Sequence, residues 1–218
     1  LPFIPYAWMS FMHDILDRWM LQYWGGSTEQ AYYTLAKHFS AVALLATTSI
    51  LRIFWKEIAE AYHNGNHVRM KQLYLKVSRG LYFIGAVFAG ALIPWTDEIL
   101  RITVGSIYLS GAATLMLMFL YPVHQSMGQI GSTMLYATEK TYVQVVLGLL
   151  FMTSGMIVSY FMMAPVDMTV PGFGMASQGL AIKMLAVQLI HVNVMAWYIA
   201  KIFGWNFDWA YQVIGLGI

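Results

Sequence analysis

From Ile102 to Thr138 the chain carries no aspartate, glutamate, lysine or arginine. A helix crosses the hydrocarbon core of a bilayer with roughly 20 mostly apolar residues. This window is longer than one straight crossing needs. It also holds Pro122, which lacks an N–H and is expected to kink the helix. Five further apolar windows lie on either side. The spans expected are about 2–23, 30–54, 78–95, 106–136, 142–163 and 176–203. Gly25-Gly26 closes the first, Asn64-Gly65 stops the helix that continues the second, and the "APVDMTVPGFG" loop follows the fifth. Residues 204–218 are expected to open a further span or to lie at the membrane interface.

Composition agrees with this reading. Charged residues make up 10% of the chain and hydrophobic ones 59%, against about 25% charged in soluble domains. So few charges cannot cover a water-facing surface. The fold class expected is an all-α integral membrane protein, a bundle of about six transmembrane helices forming a single lobe over 1–218. No cysteine is present, which excludes disulfides and thiolate metal sites. The chain begins at Leu1 rather than Met and ends at Ile218 on an apolar stretch. It is expected to be a fragment of something longer.

Lysine and arginine set the orientation. Arg52, Lys56, Arg69, Lys71, Lys76 and Arg79 fall between the second and third spans. Lys140 and Lys201 fall at the same end if the spans alternate. Glu29, Asp97, Glu98, Arg101 and Asp167 mark the other end. The basic end is expected to be cytoplasmic.

Ionisable groups inside spans are costly and usually face a protein interior or a wet cavity. Asp14, Asp17 and Arg18 share one face of the first span, and Asp14 can pair with Arg18 at i, i+4. They form either a self-neutralised structural trio or a cavity patch that reads a charged substrate or carries a proton. Lys37, beside His38, and Lys183 lie well inside their spans. They either snorkel or face the cavity. Arg101 is expected to pair with Asp97 on the surface. Pro122, Gln125, Ser126, Gln129 and Thr133 form a polar stripe, with His124 beside it. That stripe is either interhelical glue or the wall of a hydrated cavity. Gln188 and His191 stand at i, i+3, where a hydrogen-bonded buried histidine is expected. No metal-ligand spacing, phosphate-cradling loop or nucleophile–base pair occurs. Neither catalysis, nor a cofactor, nor nucleic-acid binding is expected.

Four stretches carry a resemblance. "DRWMLQYWGGSTEQAYYTLA" resembles the seventh-to-eighth helix passage of the multidrug/oligosaccharidyl-lipid/polysaccharide exporter superfamily. "WKEIAEAYHNGNHVRMKQLYLKV" resembles its cytoplasmic loop. "LYPVHQSMGQIGSTMLYATEKT" resembles the tenth helix of polysaccharide flippases, and "FGMASQGLAIKMLAVQ" the start of the twelfth. The resemblance implies the C-terminal lobe of a two-lobed flippase, with the first lobe of the same chain as its partner. It implies a polyprenyl-pyrophosphate-linked oligosaccharide as substrate, carried across the inner (plasma) membrane for polysaccharide biosynthesis. Arg18, Lys37 and Lys183 stand where such flippases place cations for the pyrophosphate. The substrate-binding set expected is therefore Arg18, Lys37, Asp14, Asp17, Gln125, Gln129 and Lys183. The alternatives are a cation-coupled multidrug exporter of the same superfamily, with Asp14 and Asp17 holding the cation, and a membrane scaffold of glycan assembly that transports nothing.

Overall fold

The computed structural model describes residues 3–212. Its helices are α1 (Phe3–His63), α2 (His67–Leu92), α3 (Thr96–Thr103), α4 (Ala112–Ala137), α5 (Thr141–Met163) and α6 (Ala176–Ile202). Short 3-10 segments at Ile93–Trp95 and Ser106–Gly111 flank α3. No strand occurs among the described residues. Four stretches are long and apolar enough to cross a membrane: His67–Thr103, Ser106–Ala137, Thr141–Met163 and Ala176–Ile202. Within α1, Ile4–Leu45 and Thr47–His63 pass the same test of length and composition only when joined as a pair. The molecule is an all-helical bundle of membrane-protein type.

α1 is not one rod. Gly26 has φ 77° and ψ −176°, a region open essentially to glycine alone. Asp14 and Lys37 form an ion pair at 3.6 Å. In an unbroken helix their separation in sequence would hold them about 35 Å apart. The chain therefore doubles back at Gly26. Arm A (3–25) and arm B (27–63) lie antiparallel, so the Gly25-Gly26 stop read from the sequence is a hairpin tip.

The neighbours of each arm fix the rest of the topology. Arm A runs alongside α5 in the same direction, with His13 against Gly155, Asp17 on Ser159 and Trp24 on Tyr160. Arm B follows α4 in the same way, pairing Phe39 with Phe119 and Trp55 with Tyr136. α6 also follows α4, from Thr114–Ser177 at one end to Gly128–Gln188 further along. α2 opposes α4, because Tyr82 meets His124 while Phe88 meets Phe119. Arm A, arm B, α2, α4, α5 and α6 thus alternate in direction.

Two apolar clusters hold the ends. One, at the Gly26 end, gathers Leu21, Tyr33, Leu115, Met118, Phe119 and Leu180. The other, at the basic end, gathers Phe54, Ile58, Met70, Ile130, Met134 and Ile199. Glu29 fastens the first end by accepting hydrogen bonds from the backbone N–H of Ser177, at 3.1 Å, and from its hydroxyl. It thereby caps α6, whose first N–H groups have no partner within the helix.

Pro122 sits inside α4, which remains continuous through it. A proline there leaves the carbonyl four residues back without its helical donor. That carbonyl is Met118 O, and the buried Ser40 hydroxyl of arm B donates to it. The vacancy in α4's own hydrogen-bond ladder is filled from a neighbouring helix.

Several elements run differently from the sequence expectations. Arm B does not: it continues as helix past 54 to His63 and stops at Asn64-Gly65, as expected. α2 begins at His67, not near 78, so Lys71, Lys76 and Arg79 ride on the helix itself. Asn66 makes this early start possible by accepting from the Arg69 N–H at 3.0 Å. The Asp97–Arg101 pair is not among the ion pairs of the described residues, and both side chains are exposed. Beyond α6, residues 205–209 are irregular and helix resumes at Ala210. Residues 213–218, the rest of the stretch expected to open a further span or to lie at the interface, lie outside the described residues.

Candidate functional site

Arm A, arm B, α4, α5 and α6 line an open cavity of about 460 Å³ between the two apolar clusters. Its size falls within the few hundred to about 1,000 Å³ typical of small-molecule sites. It begins near mid-bundle, at Asp14, Tyr121 and Lys183, and extends toward the basic end, where Leu51, Thr133 and Gln144 line it. The lining is mixed, with Leu51, Met152, Met184 and Val187 among polar groups. Ser10, Gln125, Gln129, Ser132, Thr133, Gln144 and Gln188 present amides and hydroxyls, with Tyr6, Tyr121 and Phe151 as ring faces between them.

Helical spacing explains the lining. Tyr121, Gln125, Gln129 and Thr133 recur every four residues and form one stripe of α4. The polar stripe expected from the sequence therefore divides. Gln125, Gln129 and Thr133 face the cavity. His124 turns to Tyr82 of α2, at 5.6 Å between ring centres, and Ser126 bonds back to Val123 O at 3.0 Å.

The inner end of the cavity is a buried ionic cluster. Lys183 is 1% exposed. Its ammonium donates to Asp17 Oδ2 at 2.6 Å and contacts His13 Nε2 at 2.8 Å. The other Asp17 oxygen accepts from the Ser159 hydroxyl. His13 Nδ1 lies 3.9 Å from Asp17 Oδ2. Three helices thus supply the cluster: arm A gives His13 and Asp17, α5 gives Ser159, and α6 gives Lys183. Gly155 makes the approach possible, because a Cβ there would come within 3.0 Å of His13 Nε2 and 3.3 Å of Lys183 Cε.

Three polar atoms on the cavity wall have no hydrogen-bond partner: Gln129 Oε1, Gln144 Oε1 and His191 Nε2. Gln144 is only 3% exposed. Buried polar groups are paired in the great majority of cases, so these three are exceptions. His191 departs from the hydrogen-bonded histidine expected. Its ring lies on Phe151 at 4.8 Å between centres, and Nε2 is unmet.

The expected site residues separate into two groups. Asp14, Gln125, Gln129 and Lys183 line the cavity, with Asp17 immediately behind Lys183. Arg18 and Lys37 are not part of the lining. Lys37 pairs with Asp14 across the hairpin, the side chains being 38% and 60% exposed. Asp14 therefore does not pair with Arg18 as the i, i+4 spacing suggested. Arm B brings Lys37 to the same carboxylate, and Arg18, one turn nearer the hairpin tip, is left exposed. Lys183 does not snorkel, because α6 aims it at arm A.

His13, Ser159, Gln144 and Tyr6 were not singled out from the sequence. For His13 a signal existed: it precedes Asp17 by four residues and so shares its face. No group of three or more His, Cys, Asp or Glu side chains among the described residues could hold a metal ion. No protein-family model, curated protein or solved structure matches the chain.

Proposed function

We propose that this chain is one lobe of a membrane transporter that flips a polyprenyl-pyrophosphate-linked oligosaccharide between leaflets. One observation carries the reading. A bundle with little charge to spare keeps a cavity of about 460 Å³ lined by amides, hydroxyls and ring faces, three of whose polar atoms have no partner. The other amides and hydroxyls of the wall are open to water or a hydroxyl-rich solute, and polar groups left unmet in an apolar surround cost several kcal/mol each. A scaffold needs no such cavity. Amides serve sugar hydroxyls as donor and acceptor at once, and the flat faces of Tyr6, Tyr121 and Phe151 suit the apolar faces of pyranose rings.

Charge near the cavity is mildly cationic. Lys183, Lys37 and Arg18 stand against Asp14 and Asp17. The two lysines are matched to the two carboxylates, so Arg18 is the surplus cation. It would take the pyrophosphate one turn beyond the inner end of the cavity, toward the hairpin tip, while the glycan occupies the interior. In this reading arm A, arm B, α2, α4, α5 and α6 are six crossings of the inner (plasma) membrane, with the basic ends in the cytoplasm. The cavity, extending toward the basic end, then faces the side from which the lipid-linked glycan is loaded. The first lobe of the same protein closes its open side.

A second reading rests on Asp14. Its carboxylate lines the cavity and is 60% exposed, whereas neither Arg18 nor Lys37 lines it. That arrangement favours a cationic drug exchanged for a coupling cation.

Reconstitution of the whole protein in liposomes separates the two. The probes are a fluorescent short-chain polyprenyl pyrophosphate disaccharide and a permanently charged cationic dye. The first reading expects movement of the disaccharide, lost in Arg18→Gln with Lys37→Gln while the protein stays folded. If the double variant transports normally, the headgroup assignment fails. If only the dye moves, and Asp14→Asn stops it, the exporter reading replaces the flippase.

A further inference from the structure

We propose that the Asp14 carboxylate is an internal stand-in for a diphosphate. It occupies Lys37 until the ligand displaces it and meets Lys37 and Arg18 together. The hairpin brings the three groups to one place. Arm A and arm B run antiparallel from Gly26, and Asp14 stands opposite Lys37 at 3.6 Å. Arg18 lies one turn nearer the tip on arm A, and Tyr33 one turn nearer the tip on arm B. The Tyr33 hydroxyl is within electrostatic reach of both Asp14 and Arg18, so Arg18 lies on the hairpin seam beside the ion pair. All three charged side chains are open to solvent. Asp14 is 60% and Lys37 38% exposed, Arg18 is exposed as well, and Asp14 also lines the cavity.

The two lysine–aspartate pairs of this region are built differently. Lys183 holds Asp17 at 2.6 Å, and both groups are buried. That pair is closed to exchange. Charge-assisted N–H···O bonds are about 2.7–2.9 Å long, and at 3.6 Å Lys37 and Asp14 are too far apart to make one. They are held by attraction alone, across solvent-exposed side chains. A pair of that kind is worth about fivefold in an equilibrium at most. Lys37 is therefore occupied but easily released. Arg18 takes part in none of the ion pairs among the described residues, so it needs no release at all.

Displacement decides which anion the site takes. With Asp14 in place, the three side chains carry one net positive charge. An anion that moves onto Lys37 leaves the carboxylate close by, and the carboxylate repels it. A singly charged anion replaces one negative charge by another on Lys37 and gains only Arg18. A diphosphate diester carries two negative charges on adjacent phosphoryl groups and spans both cations. The Lys37 ammonium meets one group as a point charge, and the Arg18 guanidinium offers the other a planar fork. Asp14 thus sets a threshold that a diphosphate passes and a monoanion does not. It is a specificity-determining residue, although it has the same sign of charge as the ligand.

The identity of the anion rests on the transport reading, and the test keeps the two apart. The whole protein in phosphatidylcholine nanodiscs is titrated calorimetrically with inorganic pyrophosphate. Asp14→Asn is expected to bind it about 2- to 5-fold more tightly than wild type, the worth of the exposed pair that no longer has to be broken. Lys37→Gln and Arg18→Gln are each expected to weaken binding. On the Lys37→Gln background the gain from Asp14→Asn is expected to vanish, because the carboxylate then has no ammonium to occupy. A gain of equal size on both backgrounds is plain repulsion, and no gain on either means that Asp14 plays no part; either result overturns the proposal. Asp14→Ser serves in the same cycle if Asp14→Asn does not fold. Glycerophosphoglycerol, the soluble singly charged headgroup of a bulk phospholipid, is expected to compete poorly. If it competes as well as pyrophosphate, the cations belong to a bulk lipid headgroup and the diphosphate assignment falls. If Asp14→Asn tightens pyrophosphate binding while the wild type moves no lipid-linked disaccharide, the counter-ion stands and the flippase reading falls. If the disaccharide moves and Asp14→Asn leaves pyrophosphate binding unchanged, the flippase reading stands and this proposal falls.

Discussion

Replacing Lys183 by Met while leaving Asp17 in place is expected to destabilise the protein by about 3–5 kcal/mol, the usual cost of stranding one half of a buried ion pair. The geometry explains why the figure is large although the intact pair contributes little. At 2.6 Å and an effective dielectric constant of about 20, the attraction is about 6 kcal/mol. Desolvation of the two ions costs several kcal/mol each and cancels most of it. Removing only the ammonium forfeits the attraction and leaves a carboxylate, 5% exposed, with the Ser159 hydroxyl and the His13 ring for company. Removing both charges forfeits the attraction and the penalty together. Asp17→Leu with Lys183→Met is therefore expected to lie within about 1 kcal/mol of wild type or above it. Thermal unfolding in detergent micelles reads the difference. At about 2–4 °C per kcal/mol for a chain of this size, the single variant loses roughly 6–20 °C and the double variant little. If the single variant unfolds no earlier than the double, the pair is hydrated in the folded protein and the reasoning fails.

Other expectations follow from separate elements. Ser40→Ala should cost about 1–3 kcal/mol, by stranding the Met118 carbonyl. The loss should largely vanish when Pro122→Ala restores the helical N–H in the same protein, which thermal unfolding of the double variant checks. Gly26→Ala should cost about 1–3 kcal/mol in unfolding experiments, because its backbone conformation excludes side chains. A variant as stable as wild type would mean the hairpin tip is shaped otherwise. Cysteine placed at His67, in this cysteine-free chain, should resist an impermeant thiol reagent in intact cells, while cysteine at Asp167 should react. The opposite pattern reverses the topology. Position 67 serves better than 66, since the Asn66 side chain caps α2. Gln144→Leu should leave the unfolding temperature nearly unchanged, because its carbonyl oxygen has no partner to lose, yet reduce transport of the disaccharide probe.

How far the sequence disclosed this arrangement depends on the range of the interaction. Apolar length and glycine stops are local, and they announce helices and the reversal at Gly26. The α4 stripe is local too, so Gln125 and Gln129 could be named for the cavity. What a single helix cannot show is the neighbour it will face. Lys183 reads equally as a snorkelling or a buried lysine until α6 is rotated against arm A, and its partner Asp17 is 166 residues away in the chain. The same ignorance hid Ser159 and credited Asp14 to Arg18 rather than to Lys37. Ser40 is the sharpest case. Pro122 advertises a stranded carbonyl, but only the packing of arm B on α4 says which hydroxyl supplies the missing donor.

The reversal at Gly26 bears on how the chain enters a bilayer at all. Arm A carries Asp14, Asp17 and Arg18, and each such group near a span's centre opposes insertion by about 2.5–3.5 kcal/mol. A helix with that load is a poor candidate to leave the translocon unaided. Its tip is one glycine between two helices, with no polar loop long enough to be handed across separately. Arm B brings Lys37 to the Asp14 carboxylate and the apolar run from Phe39 onward. On the proposed reading of both arms as crossings, they would partition into lipid as one unit, and a stop codon placed soon after Gly26 would leave arm A outside the membrane.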